Sequence, residues 1–128
     1  MNLFLTFPGN AADALKFYQS VFPDATASET VYYPDGKKIL NVQLTMKGQS
    51  IMLMDLDDCP PFSWSTSIYV ETGSEDEFQV LLNGLKEGGA VLMGPEPAGK
   101  MAKVSWVTDK FGLTWQLAWE GNDTCTTF

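Results

Sequence analysis

An internal repeat limits the fold of this chain more than any other feature of its sequence. The segment GKKILNVQLTMKGQSIML at residues 36–53 matches the pattern of GKMAKVSWVTDKFGLTWQL at residues 99–117. Each segment begins with Gly-Lys, continues as a strand, turns at a glycine and enters a second strand. The offset is 63 residues between the first glycines and 64 residues between the glycines of the turns. The two halves are therefore predicted to share one supersecondary structure.

The first half has further elements before its repeated segment. A strand is predicted from Leu3 to Phe7, and a helix capped by Asn10 follows, with apolar residues at helical spacing through Phe22. The stretch ATASETVYY at residues 25–33 reads as extended chain. The predicted order of this half is β-α-β-β-β.

The second half repeats that order. A strand is predicted from Ser65 to Glu71, and Ser74 with Glu77 forms a capping-box pattern at the start of a helix. Strands follow at about 90–94, 101–108 and 113–119. The predicted organisation is a single domain with module 1 at about 1–55, a linker at about 56–63, module 2 at about 64–120 and a short tail at 121–128.

The last strand has two faces of different character. Leu113, Trp115, Leu117 and Trp119 alternate with Thr114, Gln116 and Ala118. Because successive strand residues point to opposite sides, the tryptophans are predicted to face a core, and Gln116 is predicted to face the other way.

Composition excludes several classes of partner. The net charge is −8, all eight basic residues are lysines, and the chain has no histidine. A clustered basic face for nucleic acid is missing, and the arginines that usually bind anionic substrates are absent. No apolar run approaches the roughly 20 residues of a membrane span. The N-terminus lacks signal-peptide features, and Cys59 and Cys125 form no motif, so a cytoplasmic location is predicted.

Three segments carry a resemblance to a known family. They are FPGNAADALKFYQSVFPDA (7–25), EGGAVLMGPEP (87–97) and WVTDKFGLTWQL (106–117). With the repeat, they resemble the vicinal oxygen chelate superfamily of glyoxalase I, extradiol dioxygenases and bleomycin-resistance proteins, and within it the PhnB-like, 3-demethylubiquinone-9 3-methyltransferase-like branch. The resemblance implies an α+β fold in which two modules form a curved sheet around a cup, with helices outside. It also implies a homodimer, the usual state of small members.

The resemblance also implies four positions for metal ligands, on the first and last strands of each module. In this sequence they fall on Leu3, on Met52 or Met54, on Ser65 or Ser67, and on Gln116. Leucine cannot ligate, thioethers are poor ligands for Mn, Fe or Ni, and a serine hydroxyl is weak. Only Gln116 keeps a plausible donor, so we expect no metal site and no cofactor. Gln116 is interpreted as a polar residue satisfied by hydrogen bonds at the cup floor.

Alternation along the strands gives a list of cup-facing residues. A neutral mixed surface with flexible methionines suits a small, mostly apolar ligand, although such residues also serve merely to fill a core between modules. The predicted cup residues are Leu3, Leu5, Asn41, Gln43, Met52, Met54, Ser65, Ser67, Tyr69, Lys103, Ser105, Thr114 and Gln116.

Other candidate residues favour structural interpretations. Asp55, Asp57 and Asp58 lack the spacing of a calcium loop and read as a solvated acidic linker. Cys59 has no histidine to activate it. Lys103 is a candidate base or anion ligand, but a strand lysine more often extends to solvent.

Two functions remain open from the sequence. The first is a small-molecule-binding protein without the metal site of glyoxalase I. The second is a metal-independent isomerase, lyase or transferase that uses Gln116, Lys103 or Tyr69. A methyltransferase of the usual kind requires a Gly-rich βαβ loop for its cofactor, and the sequence has none.

Overall fold

Both halves of the chain follow the order β-α-β-β-β, with the second strand of the first half divided into two short strands, in the computed structural model, which describes residues 1–121. The chain divides into unit 1, Met1–Pro61, and unit 2, which begins at Phe62. Cys125 and nearly all of the predicted tail lie outside the described residues. The α+β class and the duplicated order are confirmed.

Unit 1 contains one helix and a mixed sheet. Its sheet has the order β1-β5-β4-β2, β1 runs parallel to β5, and the short β3 also pairs with β4. The predicted extended stretch is split into the two short strands β2 and β3. The elements are β1 (Leu3–Phe7), α1 (Ala11–Val21), β2 (Thr26–Ala27), β3 (Val31–Tyr32), β4 (Ile39–Met46) and β5 (Gln49–Asp55).

Unit 2 repeats this topology with one long strand in place of the two short ones. Its sheet has the order β6-β9-β8-β7, in which the first strand again lies parallel to the last. Strand β6 begins two residues later than predicted, and β7 extends further. The elements are β6 (Ser67–Thr72), α2 (Glu75–Lys86), β7 (Ala90–Ala98), β8 (Met101–Thr108) and β9 (Thr114–Trp119).

Each helix covers one face of its own sheet. Helix α1 packs on β4 and β5, and α2 packs on β6, β8 and β9. The apolar spacing that predicted each helix forms its buried side, which includes Phe17 and Tyr18 in α1 and Phe78 and Leu82 in α2. In each unit we call the opposite side of the sheet the helix-free face.

The two helices begin differently. At α2 the capping box is confirmed, because Ser74 Oγ accepts a hydrogen bond from Glu77 N at 3.0 Å. At α1 Asn10 stands at the predicted N-cap position, but its side chain makes no cap hydrogen bond. Ala11 N instead donates to Asp55 Oδ1 at 2.8 Å.

Asp55 itself differs from its predicted role as part of a solvated linker. It ends β5, is 2% exposed, and its Oδ2 accepts a second hydrogen bond from Ile39 N at 2.8 Å. Asp57 and Asp58 are exposed, as expected. Within residues 1–121, neither helix has the length and apolar character needed to cross a bilayer.

Candidate functional site

The helix-free face of unit 2 carries an amide between two aromatic side chains. The strand register places Gln116 of β9 beside Tyr69 of β6 on one side and Trp106 of β8 on the other. Gln116 Nε2 donates a hydrogen bond to Ser67 Oγ at 2.8 Å. The Gln116 Oε1 accepts none from residues 1–121. The amide therefore has an N–H engaged and its acceptor available.

A row of hydroxyl groups lies next to this amide. Thr114 is paired in register with Ser67 on β6 and with Thr108 on β8. Thr114 is 0% exposed, and its Oγ1 has no hydrogen-bond partner within the described chain. Burying an unpaired hydroxyl costs free energy. A polar ligand group that reached this row would recover part of that cost.

Tyr69 gives the site its accessible edge. The residue is 53% exposed on β6, which is the outermost strand of its sheet. Partial desolvation, followed by the negative charges of Glu71 and Glu120, raises the pKa of Tyr69 above its ordinary value. The phenol is therefore protonated at neutral pH and serves as a hydrogen-bond donor.

The helix-free face of unit 1 is more apolar. Its register aligns Phe4 of β1, Met52 of β5 and Gln43 of β4 in one row. Gln43 Nε2 donates to Ser50 Oγ at 3.1 Å, which repeats the amide-to-serine pairing of unit 2. Each helix-free face thus combines a carboxamide with large apolar side chains.

Eight predicted cup residues lie on the helix-free face of their own unit. Their orientation agrees with the strand alternation from which they were predicted, while their role in ligand binding stays a prediction. They are Asn41, Gln43, Met52 and Met54 in unit 1, and Ser67, Tyr69, Thr114 and Gln116 in unit 2.

The prediction for Leu3 and Leu5 is wrong in orientation. These residues are in register with Ile51 and Leu53, which are buried with α1 on the other side of the sheet, and Leu5 is itself only 5% exposed. Phe4 and Thr6 take their places on the helix-free face. The run LFLTF is apolar at both strand parities, so alternation alone did not fix its register.

Lys103 and Ser105 also point away from the predicted site. Lys103 Nζ lies 2.6 Å from Glu75 Oε2 and 5.9 Å from the centre of the Phe78 ring, both on α2. Ser105 is buried on the same side, and its Oγ donates to Met93 O at 2.8 Å. Both polar groups are satisfied beneath or beside the helix, so the helix-free face has no lysine from β8.

Ser65 does not belong to a strand. It lies in the turn before β6, where its Oγ is 2.7 Å from Ser63 Oγ. Trp106, in contrast, was missed by the sequence analysis and flanks Gln116. The apolar residues of β8 could have indicated its orientation. If Val107 is assigned to the buried side, Trp106 and Val104 fall on the other side of the strand.

The residues at the family's ligand positions do not fit a divalent metal. On the strands concerned, the helix-free positions hold Phe4 or Thr6, Met52 or Met54, Ser67 or Tyr69, and Gln116. This set offers hydroxyls, thioethers and one neutral amide in place of imidazoles and carboxylates. Within residues 1–121, no three His, Cys, Asp or Glu side chains are grouped to hold an ion.

Each unit contains a cavity lined in part by charged residues. One of about 360 Å³ is lined in unit 1 by Tyr33, Pro34, Leu56 and charged residues that include Lys38 and Asp57. Lys38 Nζ is 2.6 Å from Asp57 Oδ1, and this bond raises the pKa of Lys38. The other cavity, of about 260 Å³, is lined in unit 2 by residues that include Glu71, Met101, Trp119 and Glu120.

Cys59 lies near the first strand. Its Sγ is 3.8 Å from Thr6 O, and it forms no disulfide. Within residues 1–121, no side chain that could act as a base forms a hydrogen bond with the Cys59 thiol.

The sequence matches one family over most of its length. This family is described as 3-demethylubiquinone-9 3-methyltransferase, and the match covers residues 1–118. No curated protein matches the chain.

Several solved structures resemble the chain. The PhnB protein from Bacillus cereus is 28% identical, with a TM-score of 0.84 over 93% of this chain and 98% of that one. Protein PA1353 from Pseudomonas aeruginosa is 24% identical, with a TM-score of 0.79 over 95% and 99% of the two chains. A glyoxylase/bleomycin resistance protein/dioxygenase domain from Frankia is 15% identical, with a TM-score of 0.71 over 94% and 95%. The last two likenesses show the fold alone.

Proposed function

Because the chain belongs to the 3-demethylubiquinone-9 3-methyltransferase family, the PhnB-like branch of the vicinal oxygen chelate superfamily, we propose that it binds a small molecule without the metal site of glyoxalase I. Superfamily membership supports a fold for binding small molecules. The finer statement, that side chains of this protein bind the ligand without a metal ion, is our proposal.

The observation that carries the proposal is the row Tyr69, Gln116 and Trp106 on the helix-free face of unit 2. Ligand sites combine apolar and aromatic walls with a few placed polar groups. Here two aromatic side chains flank one amide whose Oε1 is available.

The donor chemistry supports binding without a metal. Catalytic zinc sites normally use three protein ligands, and the family positions here supply Gln116 as their strongest donor. Most methyltransferases hold their cofactor on a parallel sheet with a Gly-rich loop. The sheet of each unit here is mixed, with one parallel pair of strands, and the sequence has no such loop. The name of the family therefore gives no support for methyl transfer by this chain.

A nuclear magnetic resonance screen tests the proposal. Uniformly ¹⁵N-labelled protein is titrated with a fragment library, and shifts are followed at the Gln116 side-chain amide and the Trp106 indole. We expect hits to move both signals, and Gln116→Ala to weaken those hits. Lys103→Gln is the matched control, because Lys103 faces α2, and it should leave binding unchanged. Hits that move only residues around the unit 1 cavity, or no hits at all, would reject the proposal.

A second candidate is a metal-independent enzyme of the same branch, and Tyr69 is the observation in its favour. Its raised pKa keeps the phenol protonated, which suits a proton donor and not a base. Lys103 no longer supports this candidate, because it is paired with Glu75. Turnover of a bound compound, lost in Tyr69→Phe with binding retained, would establish it.

We also propose that the protein is a homodimer. The first strand of each unit is an edge strand of its own sheet, β1 in unit 1 and β6 in unit 2, and edge strands offer backbone groups that can pair with another chain. Light scattering coupled to size-exclusion chromatography should give twice the mass of 14.1 kDa. A monomer mass at micromolar concentration would reject this proposal.

A further inference from the structure

The amide groups of the helix-free faces leave their carbonyl oxygens available to a ligand. Gln116 and Gln43 each donate from Nε2 to a serine hydroxyl, and their carbonyl oxygens accept nothing from residues 1–121. A ligand that donates hydrogen bonds matches these groups.

The charges around the Gln116 row have one sign. Glu71 follows Tyr69 by two residues on the same face of β6, and Glu96 is in register with Val104 of β8. The lysines of the described part of unit 2 lie elsewhere: Lys86 on α2, Lys100 and Lys110 in turns, and Lys103 against α2. The field at this face therefore favours a cation.

The aromatic side chains have the spacing to hold one ring. Tyr69 and Trp106 stand on the two strands that flank β9, so their backbones are about 10 Å apart, two strand spacings of about 4.8 Å. A ring placed midway lies about 5 Å from each side chain, within the range of stacked aromatic pairs. Tryptophan and tyrosine faces also attract cations.

Resting on the function proposed above, we infer that the ligand class of unit 2 is a planar aromatic compound that carries a protonated amino group. Its ring lies between Tyr69 and Trp106, an N–H donates to Gln116 Oε1, and the positive charge lies toward Glu71. The acidic residues at this end of the sheet then contribute to ligand selection as well as to solubility.

Two tricyclic probes of opposite charge test this inference. Binding of 9-aminoacridine, a cation at neutral pH, and of anthracene-9-carboxylate is measured by titration calorimetry at about 0.15 M salt, where charges beyond about 8 Å are screened. We expect 9-aminoacridine to bind with a stoichiometry of one per chain and at least tenfold more tightly than the carboxylate. Trp106→Leu should abolish this binding, and Trp64→Leu should not, because Trp64 is 64% exposed in the turn before β6.

Charge variants distinguish a built site from general attraction to an acidic protein. Gln116→Glu replaces the amide by a carboxylate of the same shape and should tighten 9-aminoacridine binding by about twofold to fivefold, as for a partly exposed charge pair. Glu71→Gln should weaken it, whereas Glu87→Gln, at the end of α2, should not. The inference is overturned if anthracene-9-carboxylate binds more tightly than 9-aminoacridine. It is also overturned if substitutions at Trp106 and Gln116 leave the binding of 9-aminoacridine unchanged. If other fragments still shift Gln116, the proposed function survives that result, whereas no binding of any compound ends both.

Discussion

The carboxylate of Asp55 joins the end of β5 to the start of α1, because its Oδ1 accepts a hydrogen bond at 2.8 Å from the backbone nitrogen of Ala11. Its Oδ2 accepts at 2.8 Å from Ile39 N, in β4. One buried side chain thus satisfies two backbone donors that are 28 residues apart in sequence, and it replaces the cap that Asn10 does not form.

We predict that Asp55→Asn destabilises the protein by about 1–3 kcal/mol, the cost of leaving a buried hydrogen-bonding group unpaired. The asparagine side chain keeps one acceptor oxygen for one of the two backbone donors, Ala11 N or Ile39 N. Its NH₂ group faces the other N–H and cannot accept a hydrogen bond from it. Urea unfolding followed by circular dichroism measures the loss. Asp58→Asn is the control, since Asp58 is exposed, and it should change the unfolding free energy by less than about 0.5 kcal/mol. Equal effects of the two variants would contradict the role of Asp55.

Asp109 has a related role in unit 2. Its Oδ1 accepts from Phe111 N and Leu113 N at 2.9 and 3.1 Å, and its Oδ2 accepts from Trp115 Nε1 at 2.9 Å. We predict that Asp109→Asn lowers stability by about 1–3 kcal/mol through the same loss of an acceptor. It should also shift the ultraviolet resonance Raman signal of the Trp115 indole N–H, which reports its hydrogen bond. An unchanged indole signal would contradict this pairing.

The order of elements followed from the sequence because its causes are local. Alternation in the strands, helical spacing before Phe22 and the capping box at Ser74 act over a few residues. Gln116 was assigned to the correct face because Trp115 and Leu117, its neighbours in the strand, must both face the core. A residue between them points to the opposite side of the sheet.

The errors arose where long-range contacts decide. LFLTF is apolar on both sides, and the structure leaves Phe4 half-exposed while it buries Leu5. Lys103 looked like a residue of a polar face, yet its partner Glu75 and the ring of Phe78 lie on α2. Asp55 sits in an acidic segment that resembles a linker, and its donors come from β4 and α1. None of these contacts has a signal within the local sequence.

The two faces of the unit 2 sheet give a matched pair of substitutions. Trp115 is fully buried beneath α2, whereas Trp106 lies on the helix-free face. We predict that Trp115→Ala costs about 3–5 kcal/mol of unfolding free energy, as buried aromatic truncations do. Trp106→Ala should cost clearly less, because its ring is partly exposed. Denaturant unfolding of both variants measures this difference, and a reversed order would mean that the register of β8 is wrong.

We predict that the protein binds no divalent metal at the family's ligand positions. Manganese, iron, nickel or zinc ions added to tag-free protein should shift the melting temperature by less than about 1 °C, since a ligand that binds the folded state tightly would raise it. Mass spectrometry under native conditions counts any bound ion. A stoichiometric ion whose stabilising effect disappears in Gln116→Ala would contradict the donor-set argument.

The titration of Tyr69 tests the acidic surroundings that we assign to the Gln116 row. Partial desolvation and the charges of Glu71 and Glu120 raise the pKa of Tyr69, so Glu71→Gln should lower it by removing a charge that disfavours the phenolate. Because the folded pKa lies above the unfolded one, the stability linked to the neutral phenol is fully present below the unfolded pKa. It is lost as pH rises through the folded value. Carbon-13 resonances of the tyrosine Cζ atoms measure the pKa directly.

Glu87→Gln is the control for this titration, because Glu87 ends α2 and is absent from the groups that shift Tyr69. It should leave the Tyr69 pKa unchanged, which separates a local carboxylate from the effect of one less negative charge on the whole protein. A Tyr69 pKa that falls equally in both variants would mean that Glu71 does not face the phenol. The carboxylate would then be too far from the aromatic row to select the charge of a ligand held there.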